Sequence, residues 1–430
     1  MRYLKLFLCL CILMIPLSAC GARKLTVRLE DYGDISTPEA AGSTFIKALN
    51  DISGKRLLLP PVPIRLTEDF TLRGGRNFEL VGNPAGGHLE SKIFMLLDCQ
   101  DFVVEGMSFY GTREQFASFY VIGDCRNFEV RGCSCDSERD DDGNNTFYGF
   151  HICGRADIPD ASYDNSPRNF KIHHNNVRNT RYDGILVHGH CSDFTIENNS
   201  VIAPQCIGIE VEGRFGDVHT TTVHPCRRGV VRDNYIADCG DWGILLMWSD
   251  NITVTRNESR NAVGTFLSIG CNDLKVTRNI LEGTQKGFEI SQEFFAVEKG
   301  INRRIKVRNN EITGVARADG RGVVDIRHSD NVDFRNNTVK LIHKPLSSAV
   351  SVCSSVGVTM VDNDFQTLGE ELPETVSFAD VTDPETGEQV PELSVKSVRI
   401  TRNKFKGQTD KVKLQPGLSK DNITLRNTFD

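Results

Sequence analysis

Two glutamates and a histidine occupy positions at which they could act together on one substrate. Glu210 and Glu212 alternate with Ile209 and Val211, and His188 ends a similar apolar segment one repeat earlier. In β-strands, alternate side chains share one face about 6.6 Å apart, and neighbouring strands lie about 4.8 Å apart. Glycoside hydrolysis needs a carboxylic acid and a carboxylate ~5–10 Å apart. We therefore take Glu210, Glu212 and His188 as candidate catalytic residues, with His188 setting the pKa values of the glutamates.

Elimination from a uronic acid is a second reaction for which the same side chains are suited. It needs a base for the proton beside the carboxyl group and a cation that neutralises that carboxyl group. His188 or His190 would be the base, and the two glutamates would hold Ca²⁺, with Arg214 or Arg327 as a neutralising group. Ca²⁺ is therefore an expected cofactor only if the protein is a lyase.

The same alternation indicates further groups on this surface. The substrate-binding candidates are polar side chains at outward positions, two arginines, and an indole on which a sugar ring can stack. They are His151, Arg214, Trp248, Glu289, Asp325 and Arg327. Trp242 is interpreted as a surface or turn residue. Because exposed polar residues are ordinary on a β-sheet, a non-catalytic surface that binds glycan or a partner is the alternative function.

These candidates belong to a repeat that runs through most of the chain. Asparagine recurs three residues after an inward-facing apolar residue, at Asn83, Asn175, Asn199, Asn234, Asn257, Asn279, Asn310, Asn337, Asn363 and Asn403. The second half of each repeat reads glycine, apolar, any residue, apolar, as in Gly243-Ile244-Leu245-Leu246, which indicates a strand rather than the helix of a leucine-rich repeat. Each copy is predicted to form two short strands and a turn. A unit this small must stack on copies of itself, so the pattern predicts a β-solenoid.

Three insertions interrupt regular copies, and each follows the second strand of its copy. They span residues 154–168, 213–227 and 292–303. Insertions at one phase of a solenoid emerge on one face. We therefore expect them to form walls beside the candidate residues.

Cysteine placement favours packing over metal binding. Cys99, Cys125, Cys191, Cys271 and Cys353 are predicted to form one buried column in successive copies, with disulfides between neighbouring copies as the alternative. Cys133-Ser134-Cys135 has no second pair at the spacing of a zinc site.

The N-terminal segment is typical of an export signal. A charged start precedes a short apolar run, and Leu17-Ser18-Ala19-Cys20 resembles the bacterial lipobox, which implies cleavage before Cys20 and its lipidation. Of 50 basic residues, Arg2 and Lys5 would be lost, so the remaining chain has 48 against 57 acidic residues, a net charge of −9. This balance argues against a nucleic-acid partner. The expected location is the bacterial cell envelope, with an anchor in the outer membrane or at the cell surface.

Residues 20–76 are predicted to be a linker and cap, and residues 77–430 the solenoid. The segment Glu30-Asp31-Tyr32-Gly33-Asp34, a helical pattern over 40–49 and the strand Leu57-Leu58-Leu59-Pro60 precede the asparagine-punctuated copies. This order resembles the pectin-lyase-like superfamily. The resemblance implies an all-β, single-stranded right-handed parallel β-helix of about a dozen coils with a short N-terminal helical cap. Members include glycoside hydrolases, polysaccharide lyases, uronan epimerases and phage tailspikes, so reaction does not follow from fold.

The motifs of polygalacturonase-type hydrolases do not match. Arg304-Ile305-Lys306 is present, but Ile305 is interpreted as a core residue, and His188-Gly189-His190 is not the expected Gly-His-Gly. The sequence therefore predicts a polysaccharide-cleaving enzyme of unassigned family, with glycosidase favoured over lyase and uronan epimerase as a further alternative. We expect a monomer.

Overall fold

The fold was analysed in a computed structural model. It describes residues 24–91, 93–111, 117–137, 147–154, 163–213, 224–291, 300–317, 319–342, 347–380 and 394–430. Cys20, Arg214 and most of the three predicted insertions lie outside these residues.

The described chain consists of one α-helix, three short 3-10 turns and 41 β-strands. The helix is α1 (Pro38–Asn50), and the 3-10 turns are Leu29–Tyr32, Tyr163–Asn165 and Lys420–Asn422. The first strands are β1 (Leu25–Arg28), β2 (Lys55–Leu58), β3 (Ile64–Arg65), β4 (Phe70–Arg73), β5 (Arg76–Val81), β6 (Leu89–Ser91), β7 (Phe94–Leu97), β8 (Gln100–Glu105), β9 (Ser108–Gly111), β10 (Ala117–Ile122), β11 (Arg126–Arg131), β12 (Ser134–Ser137) and β13 (Tyr148–Cys153). Next come β14 (Arg168–His173), β15 (Asn176–Arg178), β16 (Ile185–His188), β17 (Ser192–Glu197), β18 (Ser200–Ile202), β19 (Ile209–Glu212), β20 (Cys226–Arg232), β21 (Tyr235–Ala237), β22 (Trp242–Met247), β23 (Ser249–Asp250), β24 (Thr253–Thr255), β25 (Glu258–Ala262), β26 (Gly264–Ile269) and β27 (Lys275–Thr277). The last are β28 (Ile280–Gly283), β29 (Phe288–Ser291), β30 (Asn302–Arg308), β31 (Glu311–Val315), β32 (Val324–Arg327), β33 (Ser329–Arg335), β34 (Thr338–Ile342), β35 (Ser348–Cys353), β36 (Thr359–Val361), β37 (Asp364–Leu368), β38 (Glu374–Ala379), β39 (Val398–Lys406), β40 (Val412–Leu414) and β41 (Ile423–Phe429).

A regular coil contains three strands, not the predicted two. In one coil, β14, β15 and β16 pair in parallel with β17, β18 and β19 of the next. The extra division arises at the asparagine, because the residue before it adopts a left-handed conformation that turns the chain, with φ of 56° at His174 and 53° at Asn198. The third strands of the coils form a separate sheet of 13 strands, which agrees with the expected dozen or so coils.

The asparagine column is structural, as predicted. The side chain of Asn175 donates from Nδ2 to Oδ1 of Asn199 at 2.9 Å and to the carbonyl of Val130 at 3.0 Å. The same links continue coil by coil to Asn427, which extends the predicted column by one residue. Buried amides that satisfy each other in this way hold the coils in register.

The interior of the solenoid is apolar and stacked. Phenylalanines at one position of successive coils pack ring on ring, with centroids 4.8 Å apart between Phe102 and Phe128 and between Phe128 and Phe170. Ile305 is fully buried in this core, as predicted. The cysteine column is only partly as predicted, because Cys353 pairs with Arg327 on the outward side. Cys226 takes a column position instead, in register with Ser249.

Helix α1 covers the N-terminal end of the solenoid. It begins at Pro38, where Thr37 Oγ1 accepts a hydrogen bond from the amide of Ala40 at 3.1 Å. The buried face of the helix packs on the core, and the rings of Phe45 and Phe94 lie 5.9 Å apart. The parallel stacking of strands begins before the predicted boundary at residue 77, because β1 pairs with β2. In the described part of the chain, no helix is long and apolar enough to span a membrane.

Candidate active site

The candidate residues lie on the outer surface of the 13-stranded sheet. Ile209 and Val211 point into the core, so Glu210 and Glu212 point outward, as the alternation predicts. Parallel register aligns two outward rows across β13, β16, β19 and β22: His151, Leu186, Glu210 and Leu245 in one, and Cys153, His188, Glu212 and Met247 in the other. Neighbouring members of a row are therefore about 4.8 Å apart along the solenoid axis.

These outward side chains are largely buried, which corrects the expectation that they are exposed on the surface. Glu210 is 6% exposed and His151 is 4% exposed. The rings of Tyr120 and Tyr148 lie 4.7 and 5.0 Å from the His151 ring and cover it. Alternation along a strand fixes the side to which a residue points, but not what packs over it.

A carboxyl group that the sequence reasoning missed completes the cluster. Asp183 comes two residues before β16 and is 4% exposed. Its Oδ1 accepts a hydrogen bond from the amide of Ile207 at 3.1 Å, and its carboxyl group shares a hydrogen bond with that of Glu210. Burial raises the pKa of Asp183 to about 6, against the lowering effect of the hydrogen bond with Glu210. Two carboxyl groups in contact hold a proton more readily than either would alone.

Glycines make the position of Asp183 possible. A Cβ atom on Gly184 would lie 2.2 Å from Cγ1 of Val201, and one on Gly208 would lie 2.4 Å from Cγ2 of Ile236. Only glycine therefore fits where the chain turns into the third strand. The residue before each glycine is directed outward, so an acidic residue at that position was the available sequence signal.

The second glutamate contacts the histidine. Nε2 of His188 lies 3.7 Å from Oε2 of Glu212, and these side chains are 18% and 16% exposed. Burial and the carboxyl groups of Asp183, Glu210 and Glu212 raise the pKa of Tyr148. The three carboxyl groups thus converge near one phenol. We call Asp183, Glu210 and Glu212 the carboxyl cluster.

Other histidines flank this cluster. Burial lowers the pKa of His151 well below its ordinary value, and the nearby His188 lowers it further. The His151 and His188 rings stack with centroids 5.8 Å apart. His190, the alternative base, shares a hydrogen bond of 3.0 Å with His224, and burial lowers its pKa to about 4.

An apolar cluster lies next to the carboxyl cluster, outside the solenoid core. It consists of Ile207, Trp242, Leu245, Met247, Trp248, Leu267 and Ile269. Trp242 is buried, which corrects its interpretation as a surface residue, and Trp248 is 6% exposed. Trp248 has φ of 40°, an uncommon conformation for a bulky residue, and its ring lies against Gly270. Such a strained position is maintained only by the packing around it.

The remaining candidates form a separate ion-pair network. Glu289 is fully buried and binds Arg317 at 3.1 Å and Arg321. Asp325 is also fully buried, and it accepts from Arg327 Nε at 2.6 Å. Burial raises the pKa of Glu289, although the two arginines oppose this effect. Glu289 lies three strands beyond Glu210, roughly 14 Å along the axis.

This distance separates the candidate residues into two groups. His151, His188, Glu210 and Glu212 are together, whereas Glu289, Asp325 and Arg327 form a distinct cluster whose charges are neutralised within the protein. Sequence reasoning also missed Arg321, which is near in space only because the turn after β31 folds back.

The predicted insertions start at one phase of the repeat. They follow β13, β19 and β29, which are all strands of the 13-stranded sheet. Arg214 and residues 155–162, 214–223 and 292–299 lie outside the described residues, so their role as walls stays a prediction. Ca²⁺ binding stays a prediction as well. It would require six to eight oxygen ligands, about the count typical of this ion, and an ionised carboxyl cluster.

The stacked three-strand coils, the asparagine column and the one α-helix of the described residues define the class of fold: a right-handed parallel β-helix. Residues 162–339 match the family model described as "right handed beta helix region". No curated protein matches the chain.

Solved structures share this fold at low identity. The A-module of the Azotobacter vinelandii mannuronan C-5 epimerase AlgE4 has a TM-score of 0.53 and 13% identity over 93% of this chain and 99% of its own. The catalytic unit of a GH87 α-1,3-glucanase from Streptomyces thermodiastaticus has a TM-score of 0.50 and 13% identity over 95% and 70%. Gene product 12 of bacteriophage phi29 has a TM-score of 0.58 and 15% identity over 89% and 52%. The likeness establishes the fold and not the reaction.

Proposed function

We propose that the protein is a glycoside hydrolase that cleaves a polysaccharide at the carboxyl cluster. The observation that carries the proposal is the buried Asp183–Glu210 pair, in which Asp183 has a pKa raised to about 6, beside the partly exposed Glu212. Hydrolysis of a glycosidic bond uses one protonated and one ionised carboxyl group. Environments that hold a proton on one carboxyl group and leave a neighbour solvated are how such roles are divided.

Each member of the cluster has a role in this proposal. The Asp183–Glu210 pair retains a proton to near-neutral pH and gives it to the leaving glycosidic oxygen. Glu212 acts as the nucleophile or as the base that activates water, and His188 orients it from 3.7 Å. Glu210 and Glu212 are two residues apart on β19, about 6.6 Å, which lies within the range that hydrolysis requires. Met247, in register with Glu212, belongs to the buried apolar cluster beside these groups.

The test is turnover of a panel of polysaccharides by the purified protein and its Asp183→Asn, Glu210→Gln and Glu212→Gln variants. New reducing ends without unsaturated products are expected from the wild type, and large losses from the variants. Glu258→Gln, a surface carboxylate paired with Arg260 on another face, is the control and should keep wild-type turnover. If the folded variants cleave as fast as the wild type, the proposed site is wrong.

A polysaccharide lyase is the second candidate, and the observation in its favour is the contact between His188 and Glu212. A histidine beside a carboxylate is a suitable base for a proton next to a uronic carboxyl group. Unsaturated products in the same assay would select this reaction. C-5 inversion without cleavage would select an epimerase, and binding without turnover would select a non-catalytic glycan-binding protein.

We also propose that the protein is exported and anchored through Cys20. The support is the sequence Leu17-Ser18-Ala19-Cys20 after an apolar run. Fractionation of cells that express the wild type and Cys20→Ser tests this. The substitution should move the protein from the membrane to the soluble fraction, and unchanged membrane association would exclude the lipid anchor.

A further inference from the structure

Three side chains on two adjacent coils bring metal-binding atoms together beside the carboxyl cluster. One ligand atom each from His151, Cys153 and His188 lies within 4.8 Å of the other two. His151 and Cys153 are alternate residues of β13, and Cys153 is in register with His188 on β16. Strand geometry therefore fixes all three on the same outer surface.

We infer that His151, Cys153 and His188 form a binding site for a zinc-class transition metal ion. Two imidazole nitrogens and one thiolate sulfur are ligands that Zn²⁺ prefers, whereas Ca²⁺ and Mg²⁺ take oxygen ligands. Three protein ligands with a fourth position for water is a common zinc arrangement. The site is distinct from the Cys133-Ser134-Cys135 segment, whose cysteines are both buried in the core.

The geometry requires little adjustment. Bonds of about 2.0–2.3 Å in a tetrahedral site place the ligand atoms ~3.5 Å apart. The observed limit of 4.8 Å therefore closes by about 1 Å, which side-chain rotation can supply. His151 and Cys153 are 4% and 5% exposed, so the surrounding protein already excludes most solvent.

Metal binding would release one proton, that of the Cys153 thiol. The Cys153 thiol donates a hydrogen bond to the carbonyl of Gly154 at 2.9 Å. On binding, the thiol proton leaves to solvent, the sulfur forms a bond to the metal as thiolate, and no oxidation takes place. His151 and His188 bind through a ring nitrogen lone pair.

The inference does not rest on the proposed hydrolysis, although His188 belongs to both arrangements. A metal that joins β13 to β16 should stabilise the pairing of these coils, because a ligand that binds only the folded chain raises the melting temperature. The effect of Zn²⁺ on the melting temperature can therefore be measured without substrate.

The experiment measures Zn²⁺ and Co²⁺ binding by the purified chelator-treated protein. We expect one equivalent of Zn²⁺, a raised Tm, and with Co²⁺ a thiolate-to-metal charge-transfer band in the near ultraviolet. Cys153→Ser should abolish the band, and His151→Gln should weaken Zn²⁺ binding at least about tenfold, the cost of losing ~1.4 kcal/mol or more. Millimolar Ca²⁺ or Mg²⁺ should not displace the metal.

Cys353→Ser is the matched control. Cys353 has the same 5% exposure on an outward row of the same sheet, four strands beyond Met247, next to Arg327 rather than histidine. This variant should bind Zn²⁺ like the wild type. Circular dichroism identifies variants that fail to fold, and the conservative His151→Gln then decides in place of Cys153→Ser. Absence of stoichiometric Zn²⁺, or equal binding by folded Cys153→Ser, would overturn the assignment.

Discussion

The carboxyl groups of Asp183 and Glu210 share a hydrogen bond although the two residues belong to successive coils. The next residue, Gly184, packs so closely that an added Cβ atom would lie 2.2 Å from Cγ1 of Val201. Burial and this contact distinguish the two groups from the many solvated carboxylates of the surface. Their titration and their substitution therefore provide the most direct predictions.

Asp183→Asn should reduce kcat/KM by about 10²–10⁴-fold, the usual contribution of a general acid. In the wild type, activity should fall as pH rises through about 6, because the acid form of Asp183 is then lost. Rate profiles from pH 4 to 9, about the range in which carboxyl groups and histidines titrate, check both statements. An unchanged basic limb in Asp183→Asn would assign that limb to another group.

Asp183 should also make the fold less stable at neutral pH. Its folded-state pKa of about 6 lies above the ordinary value of 3.8, so the folded chain holds the proton more tightly than the unfolded chain does. The associated stability is present below the ordinary pKa and is lost as pH rises through the folded-state pKa. Asp183→Asn should therefore stabilise the protein at pH 7, by roughly 1–3 kcal/mol. Urea unfolding at pH 4.5 and 7 measures the difference, which should shrink at the lower pH.

Asn175→Ala should destabilise the solenoid by about 3 kcal/mol or more, because buried groups lose their partners. The substitution removes the bonds of Nδ2 to Asn199 and Val130 and leaves the amide of Cys133 without its acceptor. Asn176→Ala changes the adjacent, partly exposed residue and should stay within about 0.5 kcal/mol. Chemical denaturation compares the two, and similar losses would remove the special role of the column.

Gly184→Ala should lower both stability and activity, since the added methyl group would lie 2.2 Å from Cγ1 of Val201. Overpacking of this kind costs about 1–3 kcal/mol. Val201→Ala removes the obstructing methyl groups, so the double variant should recover part of the activity lost in Gly184→Ala. No recovery in the double variant would mean that the contact with the carbonyl oxygen of Gly208, 2.8 Å from the added Cβ atom, and not the contact with Val201, requires the glycine.

Glu289→Ala should lower the stability of the fold rather than weaken substrate binding. It leaves Arg321 and Arg317 without their buried partner, which costs about 3–5 kcal/mol. Glu311→Ala breaks an exposed pair with Lys340 and should cost at most about 1 kcal/mol. Melting temperatures and KM are measured together. A raised KM with unchanged Tm would return Glu289 to the substrate-binding residues.

The sequence predicts the solenoid, the asparagine column and the outward direction of Glu210 and Glu212, because each follows from a local period. It does not predict burial, since Tyr120 covers His151 from the preceding coil and Tyr148 covers it from the start of the same strand. Asp183 precedes the alternating segment and is placed by a turn, so alternation gives no information about it. The second strand of each coil was missed because three residues, as in β15, are too few to show a period.

The asparagine column has a direction. From Asn175 to Asn403, each Nδ2 donates one hydrogen bond to Oδ1 of the next asparagine toward the C-terminal end, and Asn427 is the last acceptor. The side-chain dipoles are consequently parallel, and hydrogen bonds arranged in series polarise one another. A continuous series of aligned amides thus extends from Asn175 to Asn427, and the strength of each hydrogen bond depends on how many intact coils continue the series.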